Sequence, residues 1–592
     1  MLNGAARLLG EMIRSRGSKI RPIRAVLGRR RRSPGSDSHT VVTLERADRG
    51  RGDQWYRLRI RSDGIRLGAA GEPGFRYGAL TLMQLIDTGG TTLHAMDIED
   101  WPDFAVRGVM LDISRDKVPT IATLEGLVDL LAGWKINQLQ LYTEHTFAYR
   151  GHEAVWRGSS AMTGAQIRHL DEYCRRRGIE LVPNQNSLSH MERWLCHPRY
   201  ARLAECDGPW KTPWGEVRHR STALNPLNPG SIRLVSSLFD QLMPHFSSGL
   251  FNVGCDEPWE LGQGRSREAC LRRGAERVYL EYLLKVRRAV ARHGRRILFW
   301  GDWLQKYPDL IERLPHDVIP LVWGYEADHP FDQTCARLRA KGLAFYVCPG
   351  TSSWCSFGGR TNNCLANLRA AAQSGKLHGA KGYLITDWGD FGHRQYLPVS
   401  YTGFLYGAAL SWCVATNSEI DVARSLDRHV YFDSSAGVGR LWLEAGRVHA
   451  LSRIALNNRT VLFACMHAPL GDAAGVEGLR PGVAEMMADR AAELVASARR
   501  LQFGGPQGGL IKAELVATLL ALRHACRRAQ FVMARKSGRR AGVRPRWLVM
   551  DMERIIERHR VLWLARNRRG GLAASVAHYQ RNLKEYQSPS VC

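Results

Sequence analysis

The chain has 592 residues, of which 44% are hydrophobic, 24% charged and 9% aromatic. This length exceeds what one compact core usually supports, and the composition excludes a mainly disordered, collagenous or membrane-spanning polypeptide. The 84 Lys and Arg residues outnumber the 56 Asp and Glu residues, and the net charge of +28 attracts polyanions without selecting among them. The sequence is that of a multidomain globular protein.

The 13 cysteines are scattered, and none forms the CxxC spacing of a structural zinc site. We therefore expect reduced thiols and no metal site. The N-terminus lacks the uninterrupted apolar core of a secretory signal, and no apolar run reaches the length of about 18 residues that a transmembrane helix needs. These features favour a cytoplasmic protein with no membrane span.

Four segments follow one another along the chain. Residues 1–38 are Arg-rich and end in Ser, Pro and Gly, so we expect a basic, flexible segment. Residues 39–100 mix strand-like and helical stretches and predict a small α+β domain. Residues 101–412 predict a (β/α)₈ TIM barrel that carries the catalytic site, and residues 413–592 predict a helical C-terminal domain, which makes the fold class α/β.

The barrel prediction rests on eight short apolar runs, each followed by a turn and usually by a helical stretch. Near-continuous apolar runs are typical of parallel strands that are covered on both faces. Nearly every run ends in an acidic, amide, His or Trp residue, and this places polar groups at the C-terminal rim, where barrel active sites form. The runs begin at residues 107, 138, 179, 250, 297, 318, 343 and 382.

Asp256 and Glu257 close the fourth run and are the strongest candidates for catalysis. They follow a buried apolar strand, where ionisation is costly. An acid with a raised pKa can protonate a leaving oxygen, while an ionised neighbour can offset developing positive charge. The alternative interpretation is a strand-end cap that begins a helix.

Aromatic residues occur at several other strand ends. Trp rings combined with carboxylates provide the stacking surface and hydrogen-bonding groups that a sugar ring needs. Carbohydrate chemistry is therefore the leading class of function. The candidates are Trp300, Asp302, Trp323, Tyr346, Trp354, Trp388 and Asp390.

The ordered series of strand-end motifs resembles glycoside hydrolase family 20, the β-N-acetylhexosaminidases. The series comprises RGVMLDISR from residue 107, the strand from Asn137 to Glu144, His190, the Asp256–Glu257 pair and the Trp-bearing strands. The resemblance covers residues 40–412. It implies a retaining exo-glycosidase that removes terminal β-linked N-acetylhexosamine by substrate-assisted catalysis, with a 2-acetamido sugar as substrate and no cofactor.

The resemblance also implies a role for each matching residue. Glu257 would be the general acid and later the base, and Asp256 would hold the 2-acetamido group, whose carbonyl oxygen attacks the anomeric carbon. The implied substrate-binding residues are Arg107, Glu144, His190, Trp300, Asp302, Trp323, Trp354, Trp388 and Asp390.

The chain departs from the family pattern and resembles a divergent member. Cys255 stands where Gly is usual, Glu144 stands where an Asp-containing motif is expected, and the loop after the seventh run lacks a clear Tyr and Asp arrangement. Two alternatives stay open: a glycosidase of another hexosaminide or oligosaccharide linkage, and a non-catalytic carbohydrate-binding barrel. The positive charge raises nucleic-acid association, but we expect no specific nucleic-acid partner.

Overall fold

The computed structural model describes residues 10, 24–27, 41–89, 93–115, 117–433, 437–505, 507–538 and 542–588. They form a small sheet domain, an eight-stranded barrel and a set of C-terminal helices, which confirms the predicted fold class. Within these ranges, no helix combines the length and hydrophobicity needed to cross a membrane. The cysteines of the same ranges are free thiols.

The N-terminal domain is a five-stranded mixed sheet whose core packs against the helix Glu72–Gly89. Burial alternates along Tyr56–Arg61, as in a strand with one face covered. Arg24–Leu27 pairs in parallel with Val41–Arg46. These four residues therefore belong to the sheet and not to a flexible segment, while most of the segment 1–38 lies outside the described residues. The other strands are Gly64–Ala69 and Met96–Asp100.

The barrel contains all eight strands that the apolar runs predict. Hydrogen-bonded neighbours run from the fourth strand through the eighth to the first, second and third, and a bridge between Asn184 and Asn252 joins the third strand to the fourth. The strand residues are buried in the main core because helices cover the outside of the barrel. In chain order the strands are Val106–Asp112, Gln138–Tyr142, Glu180–Val182, Leu250–Asn252, Arg296–Trp300, Ile319–Trp323, Tyr346–Cys348 and Gly382–Asp387.

Most of the longer helices that follow the strands are amphipathic and bury one face, while Tyr401–Trp412 is buried on all sides. Gly164–Arg176 begins at a capping box, in which the Thr163 hydroxyl accepts from the Gln166 amide. The long third connection adds a hairpin, Trp210–Lys211 with Val217–Arg218. The helices of the barrel are Ile121–Gly133, Glu153–Trp156, Gly164–Arg176, Glu192–Leu195, Pro198–Ala201, Pro229–Leu242, Arg267–Arg273, Ala275–Ala291, Asp302–Lys306, Phe331–Ala340, Thr361–Leu377 and Tyr401–Trp412.

The C-terminal helices pack against the first and eighth strand ends of the barrel. The Thr120 amide donates to the Arg566 carbonyl over 2.9 Å, and the Arg568 amide donates to the Val118 carbonyl over 2.9 Å. We propose domain boundaries near residues 100 and 412, where the chain leaves the sheet and then the barrel. The helices are Val414–Asn417, Val422–Leu426, Val438–Ala445, Val461–His467, Pro481–Arg500, Gly508–Lys536, Pro545–Arg566 and Leu572–Tyr586.

Candidate active site

A tight turn after the fourth barrel strand carries the acidic pair. Gly254, Cys255 and Glu257 have φ angles of +68°, +65° and +50°, in the left-handed region. Gly254 suits this position because a Cβ there would lie 1.8 Å from Asn186 Oδ1. The Tyr279 hydroxyl donates to the Cys255 carbonyl over 3.0 Å and helps to hold the turn. The turn places Glu257 on the wall of a central cavity.

The central cavity opens at the C-terminal rim of the barrel and has a volume of about 730 Å³. This volume lies within the range of roughly 300–1,000 Å³ that is usual for small-ligand sites. Side chains from the ends of several strands line it, so the fold brings together residues that lie far apart in the sequence. The predicted site residues on its wall are Glu144, His190, Glu257, Asp302, Trp323 and Asp390.

Asp256 lies beside the cavity and is held through one oxygen. Its Oδ2 is 3.1 Å from His190 Nε2, and its buried Oδ1 has no hydrogen-bond partner. Burial disfavours the charged form of His190, but the Asp256 carboxylate more than offsets this and raises the His190 pKa to about 9. The histidine is therefore an imidazolium at neutral pH, and the second Asp256 oxygen lacks a hydrogen-bond donor among the described residues.

Glu257 is the titratable group of the pair near neutral pH. Burial raises its pKa to about 7; the His190 charge opposes the rise and the Asp256 charge adds to it. His190 Nε2 lies 3.7 Å from Glu257 Oε2. The Glu257 amide donates to Asp302 Oδ2 over 2.9 Å, which fixes the backbone behind the carboxyl group. Glu257 can therefore hold a proton at neutral pH and release it to a ligand.

His190, Asp256 and Glu257 each place one potential metal-ligand atom within 4.8 Å of the others. A metal would have to displace the proton of His190, and the His190 pKa of about 9 makes this displacement costly at neutral pH. The arrangement is thus better explained as a hydrogen-bonded acid pair with an imidazolium than as a metal centre.

Arg115 joins the carboxylates at the far side of the cavity. Its guanidinium lies 3.2 Å from Glu144 Oε1 and 3.6 Å from Asp390 Oδ1. The same group lies over the Tyr142 ring at 4.6 Å from the centroid and over the Trp388 ring at 5.1 Å. Burial lowers the Arg115 pKa and the neighbouring carboxylates raise it. The carboxylates together have the larger effect, so the Arg115 pKa lies well above its usual value. This cluster can bind sugar hydroxyls as donor and as acceptor.

Aromatic rings form the wall next to the acidic pair. Trp323 and Tyr325 stack at 5.1 Å with an interplanar angle of 25°, and both line the cavity. Trp388 donates from Nε1 to the Tyr325 hydroxyl over 2.8 Å. Trp300 packs behind, 5.8 Å from Trp388, and is 1% exposed. Trp300 and Trp388 thus support the wall more than they form its surface.

Trp354 does not reach the cavity wall. It is 1% exposed and packs edge-on against Tyr325 at 5.1 Å, so Tyr325 separates it from the cavity. The sequence interpretation overlooked Tyr325, which lies two residues beyond Trp323 in the motif VWGY. The signal was present, since this residue follows directly from a strand end that already carries a candidate.

Arg107, which was expected to bind sugar hydroxyls, lies at the opposite end of the barrel. Its guanidinium is fully buried and donates to the carbonyls of Lys135 and Phe104 over 2.9 and 2.8 Å. It also lies over the Trp412 ring at 5.0 Å. The reason is geometric, because Arg107 is the second residue of the first strand, Val106–Asp112, and only residues at or beyond the C-terminal end of a strand reach the C-terminal rim. The expectation for Arg107 is corrected, and Arg115 takes its place in the site.

Comparison with known proteins agrees with this geometry. The model of the glycosyl hydrolase family 20 catalytic domain matches residues 104–364. The model of domain 2 of the same family matches residues 3–101, and the two matches together span more than half of the chain. The chain belongs to glycosyl hydrolase family 20. The domain 2 match begins within the N-terminal segment 1–38, which agrees with the strand found at Arg24–Leu27.

Two hexosaminidases are similar to part of the chain. Hexosaminidase D from Bos taurus is 28% identical over 38% of this chain and 64% of the relative. Beta-hexosaminidase from Akkermansia muciniphila is 26% identical over 42% of this chain and 55% of the relative. The matched regions thus span less than two thirds of the relatives' length.

Solved structures share the fold over a wider range. The Flavobacterium johnsoniae chitobiase is similar with a TM-score of 0.55 over 95% of this chain and 94% of the other, at 16% identity. A Streptomyces plicatus beta-hexosaminidase with its product bound is similar with a TM-score of 0.52 over 74% of this chain and 88% of the other, at 17% identity. The family 20 fold therefore extends over the barrel and beyond it.

Proposed function

We propose that this family 20 glycosidase removes terminal β-linked N-acetylhexosamine with retention of configuration by substrate-assisted catalysis. One observation carries the proposal: a carboxyl group with a pKa of about 7, Glu257, follows an acid with an unpartnered oxygen, Asp256 Oδ1. An acetamido N–H is a donor that fits this free oxygen. The acetamido carbonyl oxygen would then be oriented toward the anomeric carbon.

In the first step the acetamido carbonyl oxygen attacks the anomeric carbon, and the glycosidic carbon–oxygen bond breaks. Glu257 gives its proton to the leaving oxygen, which departs as an alcohol. Asp256 accepts the amide N–H and offsets the positive charge that develops on the oxazolinium ring. Because the nucleophile is already part of the bound sugar, its orientation can supply about 7–11 kcal/mol of the barrier reduction.

In the second step water attacks the same face of the anomeric carbon that the leaving group occupied. The Glu257 carboxylate takes the proton of this water, and the bond between the anomeric carbon and the acetamido oxygen breaks. The sugar is released with its original configuration and an intact acetamido group. Two inversions at one carbon explain the net retention.

The proposed exo mode rests on the cluster at the far side of the cavity. The Arg115 guanidinium lies within 3.6 Å of the carboxylates of Glu144 and Asp390. Together these side chains offer hydrogen-bond donors and acceptors to the outer hydroxyls of a terminal sugar ring. Trp323 and Tyr325 provide the flat surface on which such a ring can stack. A sugar bound in this way has its glycosidic oxygen near Glu257, with the rest of the glycan directed to solvent.

The test is nitrophenol release from β-linked N-acetylglucosaminide, N-acetylgalactosaminide and plain glucoside. We expect turnover of acetamido substrates only, with kcat/KM lowered about 10²–10⁴-fold in Glu257→Gln and about 10²–10³-fold in Asp256→Asn. Proton NMR of the first product formed should show the β anomer. Glu268→Gln is the matched control, because its side chain is 83% exposed and its carboxylate is paired, among the described residues, with Arg272.

Other outcomes would favour the alternatives. Comparable turnover of the plain glucoside would indicate a glycosidase that does not use the acetamido group. Calorimetric binding of N-acetylglucosamine by folded wild-type protein, without turnover of any substrate or of chitobiose, would indicate a carbohydrate-binding barrel. Release of the α anomer would refute the proposed mechanism.

A further inference from the structure

A second polar cavity lies where the barrel meets the C-terminal helices, away from the carboxylates of the central cavity. It lies between the loop that follows the eighth barrel strand and the helices Gly508–Lys536, Pro545–Arg566 and Leu572–Tyr586. Its polar lining residues include Arg394, Thr518 and Arg558. None of these residues takes part in the site described above.

Arg394 is a buried cation without a counter-ion in the part of the chain that the structure describes. It is 2% exposed, and its Nε, Nη1 and Nη2 atoms have no hydrogen-bond partner. Its guanidinium lies 4.1 Å from the centroid of Phe463 and 5.6 Å from that of Tyr579. Ring faces compensate a buried charge only in part, so burial of this guanidinium requires another partner.

The other polar groups of the cavity are also suited to an anion. The Thr518 hydroxyl oxygen is buried and without a hydrogen-bond partner, which leaves its O–H free to donate into the cavity. Arg558 adds a second positive charge to the lining. The lining contains no Asp or Glu side chain, so the described groups around the cavity offer donors and positive charge.

A neighbouring cavity gives this site a positively charged approach from the surface. The two cavities share Leu520, Ile555 and Arg558 in their walls. Three more arginines, Arg499, Arg523 and Arg554, line the outer cavity, whose volume is about 70 Å³. Its one carboxylate, Asp551, is already paired with Arg527 at 2.7 Å. The field of the arginines favours entry of an anion.

Size selects among anions. The inner cavity has a volume of about 10 Å³. This is about the space that one water molecule occupies. A halide ion fits such a space, while sulfate, phosphate and carboxylate ions need room for several heavy atoms. We propose that Arg394, with Thr518 and Arg558, binds one small monovalent inorganic anion of the size of chloride at the interface between barrel and helices.

The anion site is connected to the central cavity through the loop that carries Arg394. Gln395 donates from Nε2 to the Trp388 carbonyl over 2.7 Å. Phe391, on the wall of the central cavity, packs against His467 at 5.0 Å, and both rings adjoin Phe463 beneath Arg394. An anion at Arg394 therefore stabilises the segment that positions Trp388 and Asp390. The proposal concerns binding and does not depend on the proposed function.

The test is the melting temperature of the full chain in chloride, bromide, sulfate and gluconate at constant ionic strength. We expect a saturable increase of about 1–3 °C in chloride and bromide over gluconate, and none in sulfate. Constant ionic strength removes the general screening of the +28 charge. Equal melting curves in chloride and gluconate would mean that water fills the cavity, and would overturn the proposal.

Variants locate the effect. Arg394→Met should abolish the chloride-dependent increase, and in gluconate its melting temperature should not fall below that of wild type, because the uncompensated charge is gone. Arg272→Met is the matched control, since it removes the same charge from a side chain that is 70% exposed and lies outside both cavities, and it should keep the increase. A chloride response that persists in Arg394→Met would refute the assignment.

Two further measurements do not depend on the folding of Arg394→Met. Thr518→Val, which keeps the shape and removes the hydroxyl, should raise the chloride concentration of half-maximal effect several-fold. Crystals soaked in bromide should show an anomalous peak beside the Arg394 guanidinium. The absence of that peak, with bromide bound elsewhere on the surface, would exclude the site.

Discussion

Glu257 shows how neighbouring charges set the behaviour of one residue. Burial favours its neutral form, the His190 and Arg115 charges favour the carboxylate, and the Asp256 and Asp390 charges favour the acid again. The net result is a pKa of about 7, and not the value of about 4.3 of an exposed glutamate. A residue of this kind can act as an acid in one step and as a base in the next.

The sign of the pH dependence follows from this pKa. Protonated Glu257 is the form that can donate to the leaving oxygen, and its fraction falls as pH rises through about 7. We expect kcat/KM for a substrate with a poor leaving group to fall above this pH. Asp390→Asn removes a negative charge that raises the Glu257 pKa. The pH at which kcat/KM falls to half should therefore move to a lower value, even if the variant also binds the sugar less tightly.

The measurement is kcat/KM against pH for wild type, Asp390→Asn and the exposed control Glu268→Gln. The control should keep the wild-type midpoint, because its side chain is 83% exposed and lies outside the cavity. A midpoint that moves upward in Asp390→Asn, or a rate that rises through pH 7, would contradict the assignment of Glu257 as the acid.

At the scale of an element, the first barrel strand separates two arginines with different functions. Arg107 and Arg115 belong to one motif, RGVMLDISR, but seven strand residues, Val106–Asp112, span about 20 Å. Arg107 at the start bonds to carbonyls beneath the barrel. Arg115 lies beyond the last strand residue and enters the cavity. The direction of the strand decides which arginine can contact substrate.

Substitution of the two arginines should show that only Arg115 contributes to sugar binding. Arg115→Met should lower kcat/KM about 10²–10³-fold through the loss of charged hydrogen bonds to the sugar, and it should also lower the melting temperature, because Glu144 and Asp390 lose their cation. Arg107→Met should lower the free energy of unfolding by about 2–4 kcal/mol, because buried carbonyls lose a charged donor. Its KM should stay near that of wild type.

These quantities are obtained from steady-state kinetics and from urea unfolding of both variants. A raised KM in Arg107→Met, or an unchanged kcat/KM in Arg115→Met, would refute the placement of the two side chains.

The turn that follows the fourth strand was only partly foreseeable. The sequence marked Asp256 and Glu257 by their position after an apolar run, and it marked Cys255 as a departure from glycine. The φ of +65° at Cys255 explains why glycine suits this position, since a left-handed conformation costs a side-chain-bearing residue about 1–3 kcal/mol. The contact of Gly254 with Asn186 lies across two strands and could not be read from the sequence.

At the scale of the molecule, the C-terminal helices form part of the support of the barrel. Glu514 and Arg566 form a fully buried pair with distances of 2.6 and 2.8 Å. The Arg566 carbonyl accepts two hydrogen bonds from the start of the first barrel helix. One comes from the amide of the cap residue Thr120 and the other from the hydroxyl of Thr123. Lys117 lies in the same region over the Trp563 ring. The helices and the barrel should therefore unfold together.

Glu514→Gln tests this coupling, because it leaves the Arg566 charge buried without its partner. We expect a loss of about 3–5 kcal/mol in the free energy of unfolding. Glu493→Gln, in the exposed pair with Arg490, should cost less than about 1 kcal/mol. Urea unfolding followed by far-ultraviolet circular dichroism and by activity measures both. Loss of helical signal before activity in Glu514→Gln would show that the two parts unfold separately.

The local features of this protein could be predicted from its residues alone. Apolar runs specified all eight barrel strands, because a parallel strand covered on both faces must be apolar along its length. Their polar ends indicated the rim, and the Asp256–Glu257 pair followed from one of them. The helical C-terminal segment followed from its apolar spacing in the same way. Each of these features depends on residues that are neighbours in the chain.

Only the tertiary structure decided which distant residues meet. The choice of Arg115 over Arg107, the exclusion of Trp354 by Tyr325, and the pairing of His190 with Asp256 depend on contacts between different strands. The cavity at Arg394 likewise requires a loop of the barrel and helices more than a hundred residues later in the chain. Such contacts depend on how the elements pack, and burial then sets the charge state of the groups that they enclose.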